Sequence, residues 1–271
     1  MFYLSEDSAS SYRGIHPDFG RDFAKKLINA TGTQKGGTIL DIGTGTGQLT
    51  TSLQIAAPGA YNLIALDASS EMLTHAKRNF QAHAYSGLRQ TSPVTVINAP
   101  AHQTGLRDNS VDVLIVANTI HWLFRDEESQ NATCKEFARI ARETATAICV
   151  TGRPKKDDFW QPFLRDLKAH PRHDANSAFA LTRERHGGKE DIAKQIIYKP
   201  ELFETSLQVL VISPQDAANY CKSISPYANI PQNDIDTLAE KHFQSAVGDT
   251  GNIWVSHWLF SAFVGSLKVM S

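Results

Sequence analysis

Thr38-Ile-Leu-Asp-Ile-Gly-Thr-Gly-Thr-Gly-Gln-Leu-Thr50 is the stretch that decides the fold. Ile39 to Ile42 form a short apolar run, as a buried strand requires, and it passes directly into glycines at 43, 45 and 47. Leu49, Leu53 and Ala57 then recur at i, i+4 and i+8, which predicts a helix. Glycines let a backbone adopt left-handed angles and approach a ligand closely. The N–H groups opening a helix lack partners within it and face the same ligand. A strand, a glycine bend and a helix in this order make a cradle for a nucleotide, with the carboxylate of Asp41 beside it.

The spacing narrows the choice of nucleotide. A phosphate loop of the Walker type needs a lysine after its glycines, and none follows Gly47. The dinucleotide pattern G-x-G-x-x-G would put its third glycine at position 48, which is Gln48. Downstream, Tyr61-Asn-Leu-Ile-Ala-Leu-Asp67 predicts a second strand ending in an acid, about 20 residues after the glycines, where a carboxylate can hold ribose hydroxyls. Met72, Ala76 and Phe80 then repeat at helical spacing.

Asp41-Ile-Gly-Thr-Gly-Thr-Gly47 resembles motif I of the class I S-adenosylmethionine-dependent methyltransferases, and Asp67-Ala-Ser-Ser-Glu-Met72 resembles the same family's "D-x-S-x-x-M" turn. The resemblance covers residues 10–152 well and the remainder loosely. It implies S-adenosylmethionine as cofactor, held by Asp41, Gly43, Thr44, Gly45, Gly47, Asp67 and Ala68, with Met72 against adenine. Met72 equally suits core packing. A methyl group at Gly43 or Gly45 is expected to stand in the cofactor's way. Asp108-Asn-Ser-Val-Asp112 aligns with the family's "D-x-S-F-D". Pro100 then falls where an acid often meets the adenine amino group, and the backbone of Ala101 and His102 is the preferred substitute contact. The resemblance further implies a doubly wound, mostly parallel seven-stranded α/β sheet (Rossmann-like) with an antiparallel last strand.

Asn118-Thr-Ile-His-Trp122 resembles the "A-x-H-W" segment of small-molecule members similar to trans-aconitate methyltransferases, where this strand end lies beside the transferring methyl. That places Asn118 at the cofactor and His121 and Trp122 at the substrate. His121 is a candidate base, since imidazole titrates near neutrality; alternatively it closes a turn, with Trp122 packed under the sheet. Tyr12-Arg-Gly-Ile-His-Pro17 resembles the "Y-R-x-x-x-P" segment of the same relatives, which implies a lid in which Tyr12 covers cofactor and substrate and Arg13 meets the substrate. Such a lid excludes water.

Strands are predicted at Thr38–Ile42, Leu63–Asp67, Val94–Asn98, Val111–Asn118 and Thr146–Thr151, with helices between them, including one presenting Cys134, Phe137, Ala138 and Ala141. Alternation of this kind specifies a parallel sheet covered on both faces. A helix is predicted over Asp18–Ala30, and others near Pro214–Cys221 and Asp234–Val247. Residues 204–212 have strand character, and Ile253–Val269, β-branched and aromatic, favours a strand with a helix as the alternative. The chain is thus one domain: a lid over 1–37, a cofactor-binding core over 38–152, a charged substrate cap over 153–200, and C-terminal strands and helices over 201–271. Within the cap, Arg172, Arg183 and Arg185 either recognise a carboxylate or form solvated surface. Trp160, Trp254 and Trp258 either line an apolar acceptor pocket or pack in the core.

Composition excludes several classes. With 27 basic and 28 acidic residues in 271, no basic face for nucleic acid is expected. Three widely spaced cysteines give no disulfide framework and no metal pair, and His170 and His173 lack the further ligands of a zinc site. The first residues carry acids where a signal peptide would carry lysine or arginine, and no apolar run reaches the ~18–20 residues that span a bilayer. These features point to a cytoplasmic monomer or homodimer acting on a small molecule without a metal. The function expected is methyl transfer to a carboxylate, hydroxyl, amine or carbon. The alternative is a protein of this fold that binds the cofactor yet serves as a cyclase or regulatory partner.

Overall fold

The computed structural model describes residues 19–84, 93–155, 157, 159–247 and 254–268. The predicted strands appear as β1 (Thr38–Ile42), β2 (Asn62–Asp67), β3 (Val94–Asn98), β4 (Val111–Ala117) and β5 (Ala141–Pro154). Two more follow, β6 (Ile197–Ile212) and β7 (Trp254–Leu267). They form one seven-stranded sheet in the order β3-β2-β1-β4-β5-β7-β6. β1 pairs in parallel with β2 and β4, β2 with β3, and β4 with β5. β7 runs antiparallel to both its neighbours, β5 and β6. The expected class therefore stands, antiparallel last strand included.

β1 and β4 are buried along most of their length rather than at alternate residues because both faces of the sheet are covered. Ile39, Val113, Ile115, Ile148 and Val150 face one layer of helices, while Leu40, Ile42, Leu114, Val116 and Cys149 face the other. On the first face lie α1 (Arg21–Thr31), α2 (Gln48–Ala56), α6 (Trp160–Ala169), α9 (Pro214–Ser223) and α10 (Gln232–Val247). On the second, Phe137 and Ile140 of α5 (Glu127–Ile140) pack with Phe124. α3 (Ser70–Ala84) follows β2, α4 (Ile120–Leu123) follows β4, and α7 (Ala178–His186) and α8 (Lys189–Ala193) complete a helical cap.

Two boundaries differ from the sequence-based expectation by more than three residues. β6 begins at Ile197 rather than near residue 204, running past Pro200. Proline lacks the N–H a central strand must donate, but β6 is the edge of the sheet, and its register is broken between Tyr198 and Glu201. β5 begins at Ala141, directly after α5, with an irregular register against β4 between Val111 and Val113. The helical stripe through Cys134, Phe137 and Ala138 therefore ends before Ala141.

Chain order sends β1 outward to β2 and β3, then returns to β4 on its other side. The carboxyl ends of β1 and β4 thus flank the point where the winding reverses, which is where such sheets bind ligands.

Candidate functional site

Asp41, the fourth residue of β1, is 2% exposed at the floor of the glycine bend. Its Oδ2 accepts hydrogen bonds from the Thr44 hydroxyl at 2.8 Å and the Thr50 hydroxyl at 2.6 Å. Its Oδ1 is buried and has no protein partner. Burial pushes the Asp41 pKa up to about 6; the two hydroxyls oppose that shift and the nearby Asp67 adds to it. Asp67, at the end of β2, accepts from the Gly45 N–H on Oδ2 at 2.8 Å and from the Ser69 N–H on Oδ1 at 2.9 Å. It too is raised above the usual carboxylate range by burial, against those backbone donors. A carboxylate oxygen has two lone pairs, so Asp67 retains one on each oxygen for a further donor.

The three glycines of the bend have positive φ, 66°, 59° and 84° at 43, 45 and 47. Their surroundings differ. A Cβ at Gly43 would lie 2.2 Å from Thr119 Cγ2, and one at Gly47 would lie 2.6 Å from the Phe80 ring. A Cβ at Gly45 would meet nothing within 4 Å. The expectation that Gly43 makes room for the ligand is therefore corrected: Gly43 makes room for Thr119, and Gly45 is the glycine facing open space. Asn79 of α3 fastens the bend by donating to the Thr46 carbonyl at 2.7 Å.

Asn118 and Thr119 close the other wall. Asn118 has φ 54° and accepts the Gly152 N–H on its side-chain oxygen at 2.6 Å, which joins the ends of β4 and β5. The Thr119 hydroxyl donates to the carbonyls of Gly43 at 3.1 Å and Ala117 at 3.0 Å. Between the walls lies a cleft of about 440 Å³, open mouth included, with Asp41, Gly43, Thr44, Gly45 and Asn118 on its lining. Phe19, Trp258 and Phe260 also line it. The sequence reading passed over Gln48, Thr50, Asn79, Thr119, Phe19 and Phe260. Of these only Thr50 carried a local signal, being a hydroxyl nine residues after the acid at the strand end.

The structure brings together part of the predicted set. Met72 is buried on α3, Ala68 is exposed beside Asp67, and Ala101 is buried while His102 is exposed on the turn after β3. That turn is anchored by Glu136 of α5, whose Oε1 accepts from the Thr104 N–H at 2.8 Å and the Thr104 hydroxyl at 2.6 Å. Arg139 donates to the same carboxylate and to Asp108.

Other members lie elsewhere. Trp160 is 1% exposed in the core of α6, edge-on to Phe159 and Tyr220, because an indole of that size fills the layer between α6 and α9; it is not at the cleft lining. Trp122 is 38% exposed rather than packed under the sheet. His121 is half-buried between the rings of Trp122, at 5.2 Å, and Phe179 of α7, at 5.7 Å. Burial pushes its pKa down to about 4, leaving a neutral imidazole and a weak base at neutral pH. The cap docks here: Thr182 donates to the His121 carbonyl at 3.1 Å, and Arg185 donates to the Phe124 carbonyl at 2.9 Å and to Gln130 at 3.2 Å. Tyr12 and Arg13 lie outside the described residues, as does the Trp254 side chain. Among the described residues no group of acids, histidines or cysteines could hold a metal, and no helix is long and apolar enough to cross a membrane.

Comparison with known proteins agrees with this geometry. Residues 40–149 match the family model of a methyltransferase domain. Over 123 residues the chain is 30% identical to CRG1 of Saccharomyces cerevisiae, a "Probable S-adenosylmethionine-dependent methyltransferase", covering 44% of this chain and 39% of that protein. Over 145 residues it is 28% identical to the demethylmenaquinone methyltransferase of Bacillus licheniformis, covering 53% of this chain and 56% of the relative. The chain thus spans about half or less of the length of these curated relatives. A crystal structure of an S-adenosylmethionine-dependent methyltransferase from Thiobacillus denitrificans in complex with S-adenosylhomocysteine shares the fold, with a TM-score of 0.52 at 13% identity, covering 99% of this chain and all of that one.

Proposed function

We propose that this chain, whose residues 40–149 match the family model of a methyltransferase domain, transfers a methyl group from S-adenosylmethionine to a small molecule. One observation carries the proposal: the Asp41 Oδ1, a carboxylate oxygen buried without a partner at the floor of the glycine bend. An orphaned buried acceptor is costly, and a ligand that supplies a donor to it recovers that cost. Asp41 and Asp67 both rise in pKa, and Asp67 contributes to the rise of Asp41. Two carboxylates in mutual repulsion favour a cationic ligand. S-adenosylmethionine offers an ammonium, a sulfonium and a ribose diol, so the donor set fits. A pyrophosphate would bring negative charge to the same bend, which argues against a nicotinamide dinucleotide.

When bound, this cofactor supplies a methyl carbon already activated by a sulfonium leaving group. The chain's own residues need only bind, align and exclude water. We assign Asp41 to the amino group and the free lone pairs of Asp67 to the ribose hydroxyls. Gly45 leaves the backbone open to the nucleoside, and the turn at Ala101 and His102, pinned by Glu136, borders adenine. Asn118 fixes the ends of β4 and β5, where the acceptor enters. His121 has a low pKa and faces Trp122 and Phe179, so we assign it to docking the cap rather than to proton removal.

We assign residues 38–152 to cofactor binding, 153–200 to the cap and 201–271 to completing the sheet. The three cysteines are buried and free, as suits a reducing cytoplasm. Calorimetric titration with S-adenosylhomocysteine, followed by transfer of a labelled methyl to a metabolite panel, tests the proposal. Micromolar binding with transfer is the expected result. Binding without transfer to any acceptor would instead support a cyclase or regulatory role, and failure to bind would remove the cofactor assignment.

A further inference from the structure

Resting on the cofactor reading above, we infer that Thr50 is a positioning residue: its hydroxyl, with that of Thr44, holds the Asp41 carboxylate so that Oδ1 is the oxygen left to receive the ligand's ammonium. Thr50 lies in the first turn of α2 and is 1% exposed. Its hydroxyl donates to Asp41 Oδ2 at 2.6 Å, and the Thr44 hydroxyl donates to the same oxygen at 2.8 Å. The two hydroxyl oxygens stand 3.2 Å apart. A hydroxyl has one proton to give. With both protons committed to Asp41, the contact between the threonines is no further bond, and both lone pairs of Oδ2 are filled. Oδ1 is buried without a partner, and Asp41 lines the cleft. One carboxylate oxygen thus serves the fold and the other serves the ligand.

The same arrangement decides where a proton goes. With Oδ2 occupied by two donors, a proton arriving on Asp41 sits on Oδ1 and turns the ligand-facing acceptor into a donor. Proton and ammonium therefore compete for one atom. Burial raises the Asp41 pKa to about 6, and the Thr50 and Thr44 hydroxyls oppose that rise because they favour the ionised form. Thr50 thereby sets the pH at which the ammonium wins. The neighbouring elements bring little other charge to Asp41. Asp67 of β2 adds to the rise, but its own hydrogen bonds come from the Gly45 and Ser69 N–H groups. Asp112 of β4 accepts from the Thr38 N–H at the opposite end of β1. α2 itself carries no ionisable side chain. Valine shares the branched shape of threonine, so the hydroxyl can be removed while the packing is kept.

Thr50→Val and Thr50→Ser separate the hydroxyl from the methyl group in the full chain. The Asp41 carboxyl is titrated without ligand by carbon-13 NMR between pH 4.5 and 8, and S-adenosylhomocysteine binding is measured by calorimetry over the same range. Thr50→Val should move both midpoints alkaline by about one pH unit, the equivalent of one hydrogen bond to a charged group. Binding should then weaken about fivefold at pH 6 and hardly at all at pH 8, because Thr44 still holds Oδ2. Thr50→Ser should keep the parent's midpoints even where the lost methyl lowers its melting temperature. If Thr50→Val does not fold, Thr44→Val, which removes the other donor to Oδ2, should give the same alkaline shift. A residue that merely packs gives the reverse pattern, with parental midpoints in Thr50→Val, and that result would overturn the inference. A shifted carboxyl titration beside an unshifted binding profile would overturn it too, since the ligand would not then be using Oδ1. Failure of the parent to bind S-adenosylhomocysteine would strike the cofactor reading instead, and the carboxyl titration would still decide whether Thr50 governs Asp41.

Discussion

Gly43→Ala and Gly45→Ala add the same methyl group two residues apart and should fail for different reasons. Both positions have φ near +60°, where a non-glycine residue costs roughly 1–2 kcal/mol. At Gly45 nothing lies within 4 Å of the new Cβ, so that cost stands alone. At Gly43 the Cβ would lie 2.2 Å from Thr119 Cγ2 and 2.7 Å from Thr119 Oγ1. Relieving such overpacking adds about 1–3 kcal/mol. The shift also disrupts the 3.1 Å hydrogen bond from Thr119 to the Gly43 carbonyl, worth about 0.5–1.5 kcal/mol. Gly43→Ala should thus cost about 2–4 kcal/mol more than Gly45→Ala. In a chain of this size each kcal/mol lowers the melting temperature by roughly 2–4 °C, so scanning calorimetry resolves the two. Thr119→Ala removes the two closest atoms and keeps the Cβ at 2.9 Å, so the double variant Gly43→Ala with Thr119→Ala should recover part of the loss, about 1–2 kcal/mol relative to additivity. Binding should rank differently from stability. The Gly45 methyl points into cleft space, so Gly45→Ala should lose S-adenosylhomocysteine affinity by about tenfold or more while remaining well folded. Equal melting losses with no coupling to Thr119 would refute the steric assignment. A folded Gly45→Ala that binds like the parent would refute the placement of the nucleoside.

Asp41 has a folded pKa near 6, above its ordinary value, so its ionisation opposes folding: without ligand, stability should fall as pH rises through about 4 to 6, by about 3 kcal/mol for a shift of this size. Urea melts between pH 4.5 and 7.5 should show that slope in the parent and lose it in Asp41→Asn. A cationic amino group at Oδ1 favours the ionised form, so binding S-adenosylhomocysteine near pH 6 should release a proton, read as a buffer-dependent heat; no such dependence would detach the ammonium from Asp41. Asp67→Ala should weaken cofactor binding by about 1–3 kcal/mol, since it removes the acceptor of the Gly45 and Ser69 N–H groups as well as of the ribose; unchanged affinity by titration would remove the ribose assignment. Glu136→Ala, which strands the Thr104 N–H and hydroxyl and leaves Arg139 with Asp108 alone, should raise KM for S-adenosylmethionine more than it lowers kcat; a pure kcat effect would show that the turn after β3 does not border the cofactor. His121→Phe should leave the pH–rate profile between 6 and 8 unaltered, because the parent imidazole is already neutral there; loss of an acidic limb in that range would restore His121 as the base.

Much of the fold was legible because short β-branched and apolar runs end in glycine, aspartate or asparagine and alternate with helical periodicity. β1 and β3 match their predicted bounds, and β2 and β4 differ by a residue at one end. Where the prediction stopped short, a local rule met a tertiary exception. Pro200 discourages a strand, yet it sits on the sheet edge, where its missing N–H costs no ladder bond. Likewise the motif identified Gly43, Gly45 and Gly47 as a set but could not say what each glycine is for. One accommodates Thr119, one open cleft and one Phe80, and the two protein partners come from elements that spacing along the bend does not reveal.

The acceptor side was hidden for a stronger reason. The cofactor side is built from consecutive residues at the ends of β1 and β2, so local spacing carries its geometry. The opposite wall is assembled from Phe19 ahead of the first helix, Gly152 at the end of β5, and Trp258 and Phe260 on the last strand, joined only by the insertion of β7 between β5 and β6. No periodicity links those positions, and histidine and tryptophan at 121 and 122 drew attention by their chemistry, while the His121 ring meets Phe179 of α7 and Trp122 is exposed. In a scaffold of this kind, the part that recognises a common cofactor is contiguous, while the part that selects an acceptor depends on strand order.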